Sequence, residues 1–272
     1  MYKSLIFKIL TLILSFNAWG QYSEIGFFGG GSNFIGDVGD YGFHLPKDYA
    51  YGGFYRYNFN RHWSIRAQVN YGRIRNADSL SSYIYRLNRN LSFESTILEG
   101  SVMLEFNFLE YETGRRNSHT PYIMGGFGAF RFNPVAEYQG EIYELRELGT
   151  EGQLTSENPA GLYASGSSFF IFGIGYKWSL TDFIALGLES TFRRTNTDYL
   201  DDVSGLYADP AIIEDARGLV AAALSDRSII ASEKTDVYRG NPHTKDWYIF
   251  SGVTLQFKFG ELYEKCASFV GR

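Results

Sequence analysis

Only a few residues in this 272-residue sequence combine type and spacing in a way that could do chemistry. Glu99 and Glu105 sit six apart in a segment that alternates apolar and polar residues, so both fall on one face of a strand. Two such carboxylates could serve as acid and base, or as counter-ions. Arg66, in a second alternating segment, favours the counter-ion reading: Arg66, Glu99 and Glu105 are expected to form a salt-bridged network inside an enclosure. The four histidines, His44, His62, His119 and His243, fall in turns or loops without metal-ligand spacing. There is no Gly-x-Ser-x-Gly elbow, and no histidine sits on a strand beside a serine. The run Gly31-Ser-Asn-Phe-Ile-Gly-Asp-Val-Gly39 lacks the Lys-Ser/Thr of a phosphate loop and reads as a bend at a strand end. No catalytic, metal or cofactor-binding residue is therefore assigned. The single cysteine, Cys266, excludes an internal disulfide and is either free or bonded to a partner. With Phe269 and Val270 it marks the segment after the last strand as a candidate partner contact.

The elements that would carry these residues are strands. From Trp247 to Phe259, within Asp246–Gly260, Trp247, Ile249, Val253, Leu255, Phe257 and Phe259 share one face. Thirteen residues at about 3.3 Å each span roughly 40 Å, enough to cross a bilayer core of about 30 Å at a tilt. Seven similar segments precede it: Tyr22–Asn33, Tyr49–Asn60, Trp63–Arg75, Phe93–Phe108, Tyr122–Asn133, Phe169–Trp178 and Phe183–Arg194. In Trp63–Arg75 the face opposite the apolar one carries Arg66, Gln68 and Asn70, which suits a hydrated lumen. Short turns at 60–62, 110–120 and 179–182 alternate with long connections near 34–48, 76–91, 134–166 and 195–245. Within the last, Pro210–Ser232 shows helical spacing at Ile213, Ala216, Leu219, Val220 and Leu224. The expected fold is all-β: an eight-stranded antiparallel transmembrane barrel of the outer-membrane type, with long extracellular loops, one carrying a helix. A barrel of that size has room for side chains but not for a wide channel.

Composition agrees with a greasy outside and a wet inside: 21 Tyr, 23 Phe and 30 Gly against six Pro, at a mean hydropathy of −0.20. A globular β-sandwich shares that composition but would not explain the alternating turn lengths. Residues 1–20 read as a secretory signal, with Lys3 and Lys8, an apolar run from Ile9 to Phe16, and Ala18-Trp19-Gly20 at the cut. The barrel then occupies 21–260 and a periplasmic C-terminal tail 261–272, with both termini periplasmic. Removing two of the 25 basic residues leaves 23 against 30 acidic ones, a charge of −7, which argues against a nucleic-acid partner.

Three stretches carry a resemblance: Glu24-Ile-Gly-Phe-Phe-Gly-Gly-Gly-Ser-Asn-Phe-Ile-Gly-Asp-Val-Gly39, Thr120-Pro-Tyr-Ile123 and Asp246-Trp-Tyr-Ile-Phe-Ser-Gly-Val-Thr-Leu-Gln-Phe-Lys-Phe-Gly260. Together they resemble the PorG family, small outer-membrane barrels of the type IX secretion system of Bacteroidetes. The long 195–245 insertion departs from that pattern. The resemblance implies a non-enzymatic role in protein secretion and gliding motility: holding a periplasmic ring, built from a PorK-like lipoprotein and a PorN-like protein, against the outer membrane. Outer-membrane lipid and lipopolysaccharide would surround it. The competing classes are a small barrel enzyme modifying lipid A or phospholipid, and a plain wall or adhesin barrel acting through its loops.

Overall fold

In the computed structural model, residues 22–40, 46, 48–232, 234 and 236–259 are described. The expected signal at 1–20 and the tail at 261–272, with Cys266, Phe269 and Val270, lie outside them. The chain forms strands β1 (Tyr22–Ile35), β2 (Asp48–Asn58), β3 (Trp63–Ala77), β4 (Ser92–Asn107), β5 (His119–Tyr138), β6 (Glu141–Glu144), β7 (Gly166–Ser179), β8 (Ile184–Thr195) and β9 (Trp247–Phe259). All pairings between them are antiparallel. β1 pairs with β9 and β4 with β5, so eight strands close into a ring while β6 hangs on the end of β5.

The register fixes the shape of that ring. Glu24 faces Arg56, Arg56 faces Arg66, Arg66 faces Met103 and Met103 faces Gly126. Gly126 then faces Ile171, Ile171 faces Arg193, Arg193 faces Tyr248 and Tyr248 faces Phe34. One circuit thus climbs β1 from residue 24 to residue 34, a stagger of ten residues. Eight strands with that stagger make a tilted, narrow barrel whose interior side chains can fill. At the seam β1 and β9 approach closely: a Cβ on Gly30 would lie 2.6 Å from the Gly252 Cα.

Alternation sorts side chains between wall and lumen as expected. Ser64, Arg66, Gln68 and Asn70 are buried on β3 while Trp63, Ile65 and Val69 are exposed. The outer wall is mainly apolar between its two edges, with Phe127 at 67% exposure and Phe170 at 62%. That surface is stable only against an apolar medium, and lipid is the medium that a closed barrel with no free edge can cross. Among the described residues no helix is long and apolar enough to cross a membrane, which has no bearing on crossing by strands.

Both ends of the barrel chain, Tyr22 and Phe259, lie at the end that carries the turns β2–β3, β4–β5 and β7–β8. All long connections gather at the other end. There β3, β4 and β5 run past the ring, and the expected loop 134–166 is corrected. β5 continues to Tyr138 and returns as β6 through Gln139-Gly140, whose φ values of 54° and 88° suit a two-residue hairpin turn. The single helix expected over Pro210–Ser232 is two, Pro210–Arg217 and Leu219–Ser225, interrupted at Gly218 (φ 90°). Asp209 caps the first by accepting from the Ala211 amide at 2.8 Å, with Pro210 opening the helix. Ile213, Ala221, Ala222 and Leu224 point into a roof of packed loops. Short helices at Ile84–Arg89 and Leu145–Leu148, in that same roof, lacked a periodic signal in the sequence.

Candidate functional site

All eight barrel strands send a side chain into one polar cluster in the lower half of the lumen. Arg56 of β2 lies 2.9 Å from Glu24 of β1 and 2.8 Å from Glu105 of β4, and donates to Gln256 of β9 at 2.5 Å. Arg66 of β3 grips Glu189 of β8 with two bonds of 2.7 and 2.9 Å. Tyr122 of β5 donates to Glu189 at 2.8 Å, and Lys177 of β7 lies 3.4 Å from Glu105. The Phe54 ring packs 3.7 Å below the Arg66 guanidinium and 5.0 Å from that of Arg56. Lys177 sits between the rings of Tyr111 and Tyr122.

A second cluster lies higher. Glu99 accepts from Arg193 at 2.8 and 3.0 Å, from the Tyr248 hydroxyl at 2.6 Å and from Asn70 at 2.8 Å. Here the expected pairing of Arg66 with Glu99 is corrected. Arg66 faces Met103, so Glu99 is four residues further up β4, about 13 Å along the strand. Arg66 is instead 3.6 Å from Glu105 and closest to Glu189. Period two places Arg56, Lys177, Glu189 and Arg193 on inward faces without joining them to the network, and it assigns Glu24 no face. Alternation shows which way a side chain points; it does not show which strand lies opposite across a lumen.

Together Arg56, Arg66, Lys177 and Arg193 balance Glu24, Glu99, Glu105 and Glu189, and all eight are buried. The connection from β4 to β5, expected as a plain polar turn over 110–120 and found over 108–118, tucks under the mouth instead. Tyr111 is fully buried, the Thr113 hydroxyl donates to Glu24, and the Thr113 amide donates to the Tyr22 hydroxyl at 3.2 Å. Lys258 of β9 ties the same turn by donating to the Thr113 carbonyl at 2.9 Å. The lumen is therefore a neutral, cross-braced core.

At the long-loop end the bonding changes character: carboxylates tie backbone amides from different loops. Asp201 accepts from Val38 at 2.9 Å and Val203 at 3.1 Å, and Asp246 from Leu200 at 2.9 Å. Asp37 accepts from the Asn241 amide at 2.8 Å and Asp198 from the Ser204 hydroxyl at 2.7 Å. Asp78 holds Arg89 at 2.7 and 2.8 Å, and Arg89 reaches on to the carbonyls of Asp37 and Arg239. Burial pushes the Asp198 carboxyl up to about 7 and the Asp202 carboxyl up to about 6. Burial raises Asp201 as well, reinforced by the charge of Asp37, and Asp246, reinforced by Asp201 and Asp198. Among the described residues no group of three or more His, Cys, Asp or Glu is placed to hold a metal ion.

Two outcomes are expected. Arg66→Ala leaves Glu189 buried without its cation, while Glu105 keeps Arg56 and Lys177, and should cost roughly 3 to 5 kcal/mol, read as a lower temperature of band shift on heat-modifiability gels; an unchanged temperature would mean that the bridge adds nothing. The cap carboxyls, raised above the roughly 3.9 of an unfolded aspartate, hold a proton in the folded cap that the opened cap releases. Cap stability is then fully present at low pH and lost as pH rises through about 6 to 7. Protection factors for hydrogen exchange in residues 196–246, referred to the intrinsic exchange rate at each pH, should be larger at pH 5.5 than at pH 8.5, with the difference shrinking in Asp198→Asn; smaller protection at pH 5.5 would reverse the sign.

Comparison with known proteins finds solved structures of similar shape. The attachment invasion locus protein Ail of Yersinia pestis, solved with a heparin analogue, is 10% identical with a TM-score of 0.41, covering 89% of this chain and 100% of its own. Neisserial surface protein A gives 10% and 0.41 over 89% and 99%. OprG of Pseudomonas aeruginosa gives 10% and 0.41 over 89% and 98%. These are likenesses of shape, and the barrel assignment rests on the closed register itself. No curated protein matches the sequence. A family model described as a domain of unknown function, DUF6089, matches residues 3–209. This chain, an eight-stranded barrel of the outer-membrane type, belongs to the DUF6089 family.

Proposed function

We propose that the protein is a non-enzymatic outer-membrane barrel that anchors a periplasmic ring of the type IX secretion and gliding machinery, in the manner of PorG. The observation that carries this reading is the sealed lumen. A neutral network drawn from all eight barrel strands fills it, and the turn at Tyr111–Thr113 covers its lower mouth. A barrel that passes nothing acts through its two ends and its wall. Two of the three stretches that resemble PorG, 24–39 and 246–260, form the paired seam strands β1 and β9, and the third opens β5. They therefore belong to the closure of the barrel.

In this reading the short-turn end faces the periplasm, where a PorK-like lipoprotein and a PorN-like protein meet it. The segment with Cys266, Phe269 and Val270 follows β9 at that end. An enzyme acting on lipid A or phospholipid would need a base and nucleophile together on the wall. His119, which is exposed on β5, bonds through Nδ1 to the Tyr176 hydroxyl at 2.6 Å, and a tyrosine so placed completes no serine–histidine pair. The adhesin reading draws on the cap, where Ile84 is 84% exposed and Ile229 and Ile230 stand out beside it, their amides held by Asn88.

The test is purification of the tagged full chain from its native membrane in mild detergent. A lipid-anchored ring protein is expected to accompany it, and still to do so when residues 228–232 of the cap are replaced by a Gly-Ser linker. Recovery of the barrel alone would overturn the reading. Loss of every partner on changing the cap would favour the adhesin.

A further inference from the structure

Charge on the lipid-facing wall is unevenly placed. The outward-facing Lys and Arg of the barrel strands, among the described residues, are Arg73 and Arg75 of β3, Arg131 of β5 and Arg194 of β8. With a strand tilt of about 40°, each residue climbs about 2.5 Å along the barrel axis and each step to the next strand about 3 Å. Carried through the register, Arg73, Arg131 and Arg194 fall within about 5 Å of one level, and Arg75 about 5 Å higher. That level is where Tyr49, Tyr71 and Trp247 end the apolar wall toward the long loops. At the opposite edge the wall ends in Trp63, Phe106, Trp178 and Phe259, without an outward strand cation. The asymmetry matches a membrane whose phosphate charge is richest in the leaflet at the long-loop end.

The four arginines differ in what they face. Arg73 is engaged by Asp48 at 2.8 Å and Glu94 at 3.0 Å, and Arg75 by Asp48 at 3.2 Å. Arg131 and Arg194 are exposed and make no side-chain bond among the described residues. They flank a single strand, β7: Arg131 pairs across with Gly166 and Arg194 with Phe170. Two strand spacings across and four residues along the strands put their Cα atoms about 16 Å apart, a gap that two extended arginine side chains leaning over β7 can close onto one phosphate. On the strand between, Ser168 stands at that height, with Gly166 above it and Phe170, the register partner of Arg194, below. The Arg131 Cγ lies 3.7 Å from where a Gly166 Cβ would stand, so the side chain already leans over β7. Directly below, Phe127, Phe170 and Ile174 are among the most exposed apolar side chains of the wall, at 67%, 62% and 61%.

We propose that Arg131 and Arg194 form a binding site for the phosphate of a phosphorylated glycolipid in the leaflet at the long-loop end, its acyl chains lying on Phe127, Phe170 and Ile174. Guanidinium groups suit phosphate well, because each offers a planar pair of donors to its oxygens and is weakly hydrated. At the edge of the hydrocarbon region an outward arginine is inexpensive, and at this edge its head reaches the polar layer while its stem stays over apolar surface. The inference needs only that the wall crosses a membrane; it does not rest on the ring-anchoring reading.

The experiment is native mass spectrometry of the full chain in detergent, titrated with diphosphorylated lipid A, with the same lipid stripped of phosphate, and with sodium phosphate as competitor. Lipid A is expected to bind, and the stripped lipid at least tenfold more weakly. Arg131→Gln and Arg194→Gln should each weaken lipid A at least fivefold and the double variant should lose it. The double lysine variant, which keeps charge but not the planar donors, should fall between. Arg61→Gln, at the far end, should bind as the parent does. Heat-modifiability confirms folding of each variant, and the lysine variant carries the test if the double glutamine variant does not fold. Undiminished binding in the folded double variants, equal binding of the stripped lipid, or displacement by sodium phosphate, which would mark a simple ion site, would each overturn the proposal.

Discussion

Closing eight strands into a narrow barrel forces their inward side chains into one another, and the polar ones among them must then find partners inside. A buried charge without a counter-charge is strongly destabilising, whereas one with a well-aligned partner is tolerated. Here the balance is struck across the lumen, between strands that are not neighbours: Arg66 of β3 with Glu189 of β8, Arg193 of β8 with Glu99 of β4. Those cross-links brace the ring along directions that backbone ladders cannot. They also fill it, so the same interaction that permits the polar interior closes it as a path. Gln68, whose amide atoms have no hydrogen-bond partner among the described residues, lies between the two clusters.

The cap follows a different rule. Above the ring, loops from four connections converge, and their backbone amides must be satisfied away from bulk water. Asp37, Asp78 and Asp201 do this by accepting from amides on other loops, and Asp246 by accepting from Leu200 across its own long connection. Gathering carboxylates in this way raises their proton affinity, which couples the firmness of the cap to pH. Lumen and cap are thus distinct in their electrostatics: the first is neutral through ion pairs, the second relies on carboxylates crowded together with Arg89 and Arg239 as the nearest cations.

Much of this was legible from period two. β9 matches its expected span residue for residue, and the buried face of β3 is the one that carries Arg66, Gln68 and Asn70. What was not legible has physical reasons. Residues 134–144 form a hairpin because Gln139-Gly140 adopts positive φ, yet Pro134 and the acidic run read as loop. Gly218 divides what spacing alone makes one helix. The partner of Glu99 depends on the stagger of ten residues around the ring, a property of the closed circuit that no single strand contains. The same holds for Arg131 and Arg194, which flank β7 on one side of the barrel although 63 positions separate them in the chain.

The central claim is that the lumen is a neutral plug that leaves no open path through the barrel. Planar-bilayer recording of the folded full chain tests it most directly, with insertion verified separately by heat-modifiability and protease protection. The account predicts an electrically silent protein across the usual range of voltage and salt. A steady, reproducible open-channel conductance that scales with salt concentration would contradict it.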